Sequence, residues 1–247
     1  MTKDERKSLM VFVLVWFGQA ISMLGSIMTN FAIMYWAWDM TGKATALALV
    51  GLFAFLPGLV MTPFAGALVD RWDKKTVMMF SDLASGMGTI AIFALFLSQN
   101  LQVWHLYPIA AFMGAFSAFQ FPAYSAASTM MVPKKHYARV SGMISMAHSA
   151  TSIAAPPLAA FFVYGMFSIE RGMAIVLSID IVTFVIAIGI LLIVHIPNPP
   201  NSEVGESSKG GFFKEATYGF RYILKRKSLM GLLMIFLVYN FLSNFSY

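Results

Sequence analysis

The stretch "GALVDRWDKK", Gly66–Lys75, packs five charges into the six residues from Asp70 to Lys75. No charged residue precedes it back to Ala44, and the chain turns apolar again from Thr76. Water-facing turns tolerate such a knot. The long oily runs on either side do not belong in water.

The composition fixes the class. Hydrophobic residues make up 59% of the 247 and charged residues 11%, less than half the roughly 25% of soluble domains. The chain cannot cover a solvent-facing surface, and it reads as an all-α integral membrane protein. A crossing helix needs about 20 apolar residues. Six such runs occur, at 9–36, 44–69, 76–97, 106–132, 140–166 and 172–196, and a seventh begins near Ser228 and reaches Tyr247. None alternates in the manner of barrel strands. The first run is far longer than the apolar core of a signal peptide, so a retained first helix is expected.

Fifteen of the 17 basic residues sit in alternate segments: the N-terminus, the turn at Arg71–Lys75, the turn at Lys134–Arg139, and residues 209–227. The other connections hold Lys43 and Arg171. Cationic loops stay cytoplasmic. A multi-pass protein of the cell (inner) membrane is therefore expected, with a cytoplasmic N-terminus and three helical hairpins embedded in the lipid bilayer. The net charge of +6 is spread along one membrane face, so nucleic acid is not an expected partner.

Three segments follow. Residues 1–196 are expected to form a six-helix half. Residues 197–227 read as a cytoplasmic linker whose "FFKEATYGFRYILKRK" part has the apolar spacing of a helix lying on the anionic leaflet. Residues 228–247 read as the start of helix 7. A helix just begun at Tyr247 leads to the expectation of a longer chain, whose C-terminal six-helix half is missing here.

Well inside the runs lie Asp82, His148 and Asp180. A carboxylate at mid-membrane costs roughly 2.5–3.5 kcal/mol on insertion scales, so each needs a partner, a proton or a wet cavity. These three are the proton-coupling candidates. Asp180 and His148 lie at similar depth on one hairpin, which permits an Asp–His contact. Asp82, two turns from the basic turn, is within snorkelling reach of Lys75 and Arg71, and a structural pair is expected there. Polar stripes at helical spacing run along helix 1 (Gln19, Ser22, Ser26, Thr29, Asn30) and helix 4 (Ser117, Gln120, Tyr124, Ser128). They should face protein or water rather than lipid, and a shared substrate cavity is the functional reading beside ordinary helix packing. Helices 2 and 5 each carry two prolines, Pro57 with Pro63 and Pro156 with Pro157. Paired interruptions in corresponding helices point to a 3+3 inverted repeat. No nucleophile–base pair, metal-spaced cluster or phosphate-cradling glycine loop is present, so an enzyme is not expected.

The opening stretch resembles the signature of the major facilitator superfamily between helices 2 and 3. Gly66, Asp70, Arg71, Lys74 and Lys75 match it, and Asp73 stands where that family usually has glycine. "FGQAIS", "FLPGLVMTPFAGALVDR", "FQFPAYSA" and "SIDIVTF" are similar to its macrolide-efflux branch. Helix 5 partly resembles the antiporter motif through Gly142 and Pro156, with Thr151, Ala155 and Ala159 in place of glycines. Met113 stands where an antiporter arginine often sits. The resemblance implies a gating role for the Gly66–Lys75 turn and alternating access of two six-helix halves around a cavity lined by helices 1 and 4. It implies export of an amphipathic small molecule such as a macrolide, driven by the proton gradient without a cofactor. Aromatic residues near the stripes (Trp16, Phe31, Tyr35, Phe116, Phe119 and Tyr124) would suit such a ligand. Export or flipping of a siderophore or lysophospholipid, and a non-transporting membrane scaffold, are the alternatives.

Overall fold

A computed structural model describes residues 3–166, 168–196, 226, 228–232, 234–235 and 238, without the side chains at positions 3, 4, 7, 67, 70 and 166. The chain divides into two units, 1–200 and 201–247. In the first, α1 (Lys3–Thr41), α2 (Ala44–Arg71), α3 (Lys74–Leu97), α4 (Val103–Met131), α5 (Tyr137–Ala160) and α6 (Ile169–Ile193) follow in order. Among the described residues no strand occurs. In the second, the described residues between 228 and 238 are helical, and the expected leaflet helix lies outside the described residues.

Helices are the local answer because a chain in hydrocarbon must satisfy every backbone N–H and C=O within itself. Their ends are set by specific residues. Gly42, at φ +63°, takes the left-handed conformation that closes α1, and its N–H donates to the Trp38 carbonyl at 2.7 Å. The Asp73 carboxylate accepts from the Thr76 N–H at 2.7 Å and caps α3. That gives the departure from the usual glycine a local reason. Gln102 and His105 cap α4 reciprocally. After Pro156 and Pro157, α5 passes into a π-turn over Phe161–Met166; a proline lacks the N–H that the regular ladder uses. Prolines do not single out α2 and α5, because α4 carries Pro108 and Pro122 as well.

Among the described residues, five segments are long and apolar enough to cross a membrane: Ser8–Thr41, Ala44–Gly66, Lys74–Leu97, Lys134–Gly165 and Ile169–Ile193. The expected span at 106–132 is a helix of 29 residues in α4 but falls outside that set. Its tyrosines, prolines, serines and Gln120 dilute its hydropathy. With 39 residues, α1 reaches about 58 Å at 1.5 Å per residue, well past the roughly 30 Å hydrocarbon thickness.

The packing is specific: α2 and α3 lie against α4, α5 and α6 against α1, and α3 against α6. Close approaches need glycine at two crossings. A Cβ on Gly114 of α4 would run into the Ala54 carbonyl of α2, and one on Gly25 of α1 would sit 2.5 Å from Thr183 Oγ1 and 2.9 Å from Asp180 Oδ1. On α5 the buried face is Ala147, Thr151, Ala155 and Ala159 at four-residue spacing. Gly142, which matches the antiporter motif, is exposed with open space around it.

Two buried apolar clusters mark the two ends of the bundle. One joins Phe12, Val69, Val77, Val132 and Val194; the other joins Ala37, Ala46, Phe96, Leu101 and Met173. The first lies at the basic end. There Ser8 donates to the Met131 carbonyl, Lys135 pairs with Glu5 at 2.6 Å, and Lys75 Nζ donates to the carbonyls of Val194 at 2.8 Å and Leu192 at 3.3 Å. The N-terminus, the turns after α2 and α4, and the end of α6 thus share one end.

Candidate functional site

A cavity of about 230 Å³ opens between α1, α4 and α5. From α1 it takes Gln19, Ala20, Met23, Ser26 and Ile27; from α4, Ser117, Gln120, Phe121 and Tyr124; from α5, Ile144, Ala147 and His148. On each helix these positions recur at three- and four-residue steps, which puts them on one face.

Of the stripe residues, Gln19, Ser26, Ser117, Gln120 and Tyr124 line the cavity, and Ser22 and Asn30 do not. Ser22 is buried and Asn30 is exposed. A stripe 12 residues long, from Gln19 to Asn30, winds partly off the face that a straight cavity wall can use. The aromatics divide too. Tyr124 reaches the cavity, whereas Trp16 donates to the Met143 carbonyl at 2.9 Å and Phe119 is buried in the core. Phe121 and the α5 wall were not anticipated. Ile144 and His148, four residues apart, carried the spacing signal for that wall.

Behind the cavity wall sits a buried polar cluster. Gln19 Nε2 donates to Asp82 Oδ2 at 2.9 Å, Gln120 Nε2 donates to Asp82 Oδ1 at 2.6 Å, and Gln120 Nε2 lies 3.3 Å from Gln19 Oε1. Asp82 is 3% exposed and Gln19 6%. Three helices, α1, α3 and α4, meet through one carboxylate. The expected pair between Asp82 and the basic turn is not formed. Lys75 turns instead to the last carbonyls of α6, which carry the negative end of that helix's dipole, and both oxygens of Asp82 are taken by glutamines.

The expected Asp180–His148 contact is also not formed. Asp180, 2% exposed, accepts from Ser26 Oγ at 3.1 Å and Thr89 Oγ1 at 2.7 Å. His148 is exposed at the cavity. Equal depth on one hairpin did not suffice, because α6 presents Asp180 to α1 and α3. In the signature turn, Gly66 and Arg71 are exposed and Lys74 is buried, donating to the Trp72 carbonyl at 3.2 Å. The side chain of Asp70 lies outside the described residues. Pro156 is half-buried in α5. Met113, 8% exposed, packs against Gly88 of α3. Among the described residues no group of three His, Cys, Asp or Glu is placed to hold a metal ion.

The profile of the Major Facilitator Superfamily matches residues 15–247. The chain belongs to that superfamily. Members of this superfamily are transporters, not enzymes. Among its relatives, macrolide efflux protein A of Streptococcus pyogenes is 29% identical over 232 residues, covering 93% of this chain and 55% of the relative. The protein of the same name from Enterococcus faecalis is 29% identical, covering 81% and 59%. The uncharacterized MFS-type transporter YkuC of Bacillus subtilis is 28% identical, covering 94% and 54%. The chain spans about half the length of the curated relatives it matches. No solved structure matches it. As a facilitator-superfamily chain with five apolar helices of spanning length, it is a multi-pass membrane protein.

Proposed function

We propose that this chain forms the six-span N-terminal half of a secondary transporter that exports amphipathic small molecules, macrolides among them, by alternating access coupled to proton entry. The observation that carries the reading is the cavity between α1, α4 and α5 with Asp82 held behind its wall by Gln19 and Gln120. A substrate in the cavity touches the two amides, and the amides touch the carboxylate. Moving either amide changes what stabilises the charge on Asp82, which is what coupling a proton to a substrate requires. Asp82 is therefore assigned as the coupling group, and His148, exposed in the cavity wall, as a substrate contact.

The packing supports a 3+3 inverted repeat. Exchanging α1–α3 with α4–α6 turns the α2–α4 contact into α5–α1 and the α3–α4 contact into α6–α1, and returns α3–α6 to itself; all of these contacts are made. The volume supports a half-site. About 230 Å³ falls below the roughly 300–1,000 Å³ of drug-sized pockets, as expected of one wall of a larger chamber that a second half-bundle completes. The shared basic end supports a cytoplasmic N-terminus in the cell membrane, with the Gly66–Lys75 turn as gate on that side.

The test is accumulation of a labelled macrolide in cells expressing the complete reading frame, with and without a protonophore. Wild type should lower accumulation, and the protonophore or Asp82→Asn should restore it. Export that ignores both would refute proton coupling through Asp82.

A further inference from the structure

The wall of the cavity between α1, α4 and α5 contains no Asp, Glu, Lys or Arg. Its six polar side chains fall into two groups. Four already have partners. Gln19 and Gln120 hold Asp82 and each other, Ser26 donates to Asp180 at 3.1 Å, and Ser117 donates to the Gly114 carbonyl at 2.8 Å. Asp82 stands behind the two amides with both oxygens occupied. The Tyr124 hydroxyl and the His148 imidazole have no hydrogen-bond partner among the described residues.

The same chemistry continues along α5. Ser141, Ser145, His148 and Ser152 follow one another at three- and four-residue steps, which aligns them on one face over about 17 Å. All four are exposed, and among the described residues their side chains have no hydrogen-bond partner. Thr151, on the buried face, returns its hydroxyl to the Ala147 carbonyl at 2.8 Å; these serines do not. Hydrocarbon cannot satisfy such groups. This face therefore belongs to the wet side of α5, continuous with the cavity through His148.

We infer that the substrate is recognised through an uncharged, hydroxyl-bearing portion, a sugar or polyol, docked on Tyr124, His148 and the α5 serines. Its apolar portion lies against Met23, Ile27, Phe121 and Ile144. The inference rests on the exporter reading and names the chemistry its site selects. Tyrosine and serine hydroxyls both donate and accept, and a neutral imidazole donates at one nitrogen and accepts at the other. A ligand hydroxyl answers either role at a single atom. An ammonium group only donates and a carboxylate only accepts, and neither finds a fixed countercharge on this wall. A ligand without hydroxyls displaces water and leaves these groups unpaired. That cost is what lets a hydrogen-bonding site reject such an analogue more sharply than an apolar pocket can.

The test is equilibrium dialysis of three probes against the purified full-length protein in lipid nanodiscs, with empty discs as the blank. The probes are naphthyl β-glucoside, its tetra-O-methyl ether and naphthyltrimethylammonium. Wild type should bind the glucoside saturably, and about tenfold or more tightly than either of the others. Tyr124→Phe and His148→Phe break no hydrogen bond within the protein, so the fold, read by size exclusion and thermal midpoint, should be kept. Each should weaken glucoside binding about fivefold, the scale of one hydrogen bond, without changing retention of the ammonium. Equal or tighter binding of the ammonium by wild type, or undiminished glucoside affinity in both variants, would overturn the inference. Export coupled through Asp82 would still stand, because dialysis involves no proton gradient. Saturable binding of none of the probes would overturn it as well, and macrolide accumulation with the protonophore would decide the exporter reading separately.

Discussion

Replacing Gln120 by leucine tests the cluster on which the functional reading depends. Leucine fills nearly the same space and removes the 2.6 Å bond to Asp82 Oδ1 together with the 3.3 Å approach to Gln19. A hydrogen bond to a charged group contributes about 1.5–3 kcal/mol in soluble proteins. Interhelical bonds in membrane proteins average about 0.6 and reach about 1.7 kcal/mol, because the separated helices find other partners. The bond here is short, its acceptor is buried, and its donor is anchored by a second glutamine. The upper end applies, and Gln120→Leu should cost about 1.5 kcal/mol. Asp82→Asn should cost a similar amount, since its side chain offers one acceptor oxygen to two donors. Gln120 cannot simply flip to compensate, because its own oxygen would then face Gln19 Oε1. The double variant should fall short of the sum by about 1 kcal/mol. The assay is unfolding of the detergent-solubilised protein by SDS titration, followed by tryptophan fluorescence. Additivity within the roughly 0.3–0.5 kcal/mol scatter of independent sites would refute the proposed cluster.

Three further outcomes are expected. Gly114→Ala forces a methyl into the Ala54 carbonyl and should destabilise by about 1–3 kcal/mol, whereas Gly142→Ala, in open space, should be neutral or stabilise by up to about 1 kcal/mol; thermal midpoints separate the two. Lys75→Met removes both bonds to the end of α6 and should cost about 1 kcal/mol, more than Lys135→Ala, whose exposed pair with Glu5 is in the range of about 0–1 kcal/mol. The chain has no cysteine, so single cysteines at Asp73 and His136 can be labelled cleanly; both should react from one side of the membrane and Lys43→Cys from the other, and labelling of 73 and 136 from opposite sides would refute the shared basic end.

The order of the six helices, their approximate extents and the gathering of the basic turns at one end were legible in the sequence because each rests on a local quantity. Transfer cost is summed residue by residue along a run, and cations are counted turn by turn. The cavity wall was legible in part for the same reason: Gln19, Ser26, Gln120 and Tyr124 stand at helical spacing. Ser22 and Asn30 carried the same spacing and left the wall. At 100° per residue a stripe also samples the flanks of a helix, and its neighbours decide which flank is wet.

The sequence by itself determined that this protein is a membrane-embedded helical chain with its charge gathered at alternate turns, since burying or hydrating a segment is settled by that segment's own composition. Only the tertiary structure decided the partners: Asp82 with two glutamines rather than the basic turn, Lys75 with the end of α6 rather than Asp82, Asp180 with hydroxyls of α1 and α3 rather than His148. A hydrogen bond needs two atoms within about 3 Å. The rotation and crossing of helices that bring them there depend on close approaches such as those at Gly25, against Asp180, and at Gly114, against Ala54.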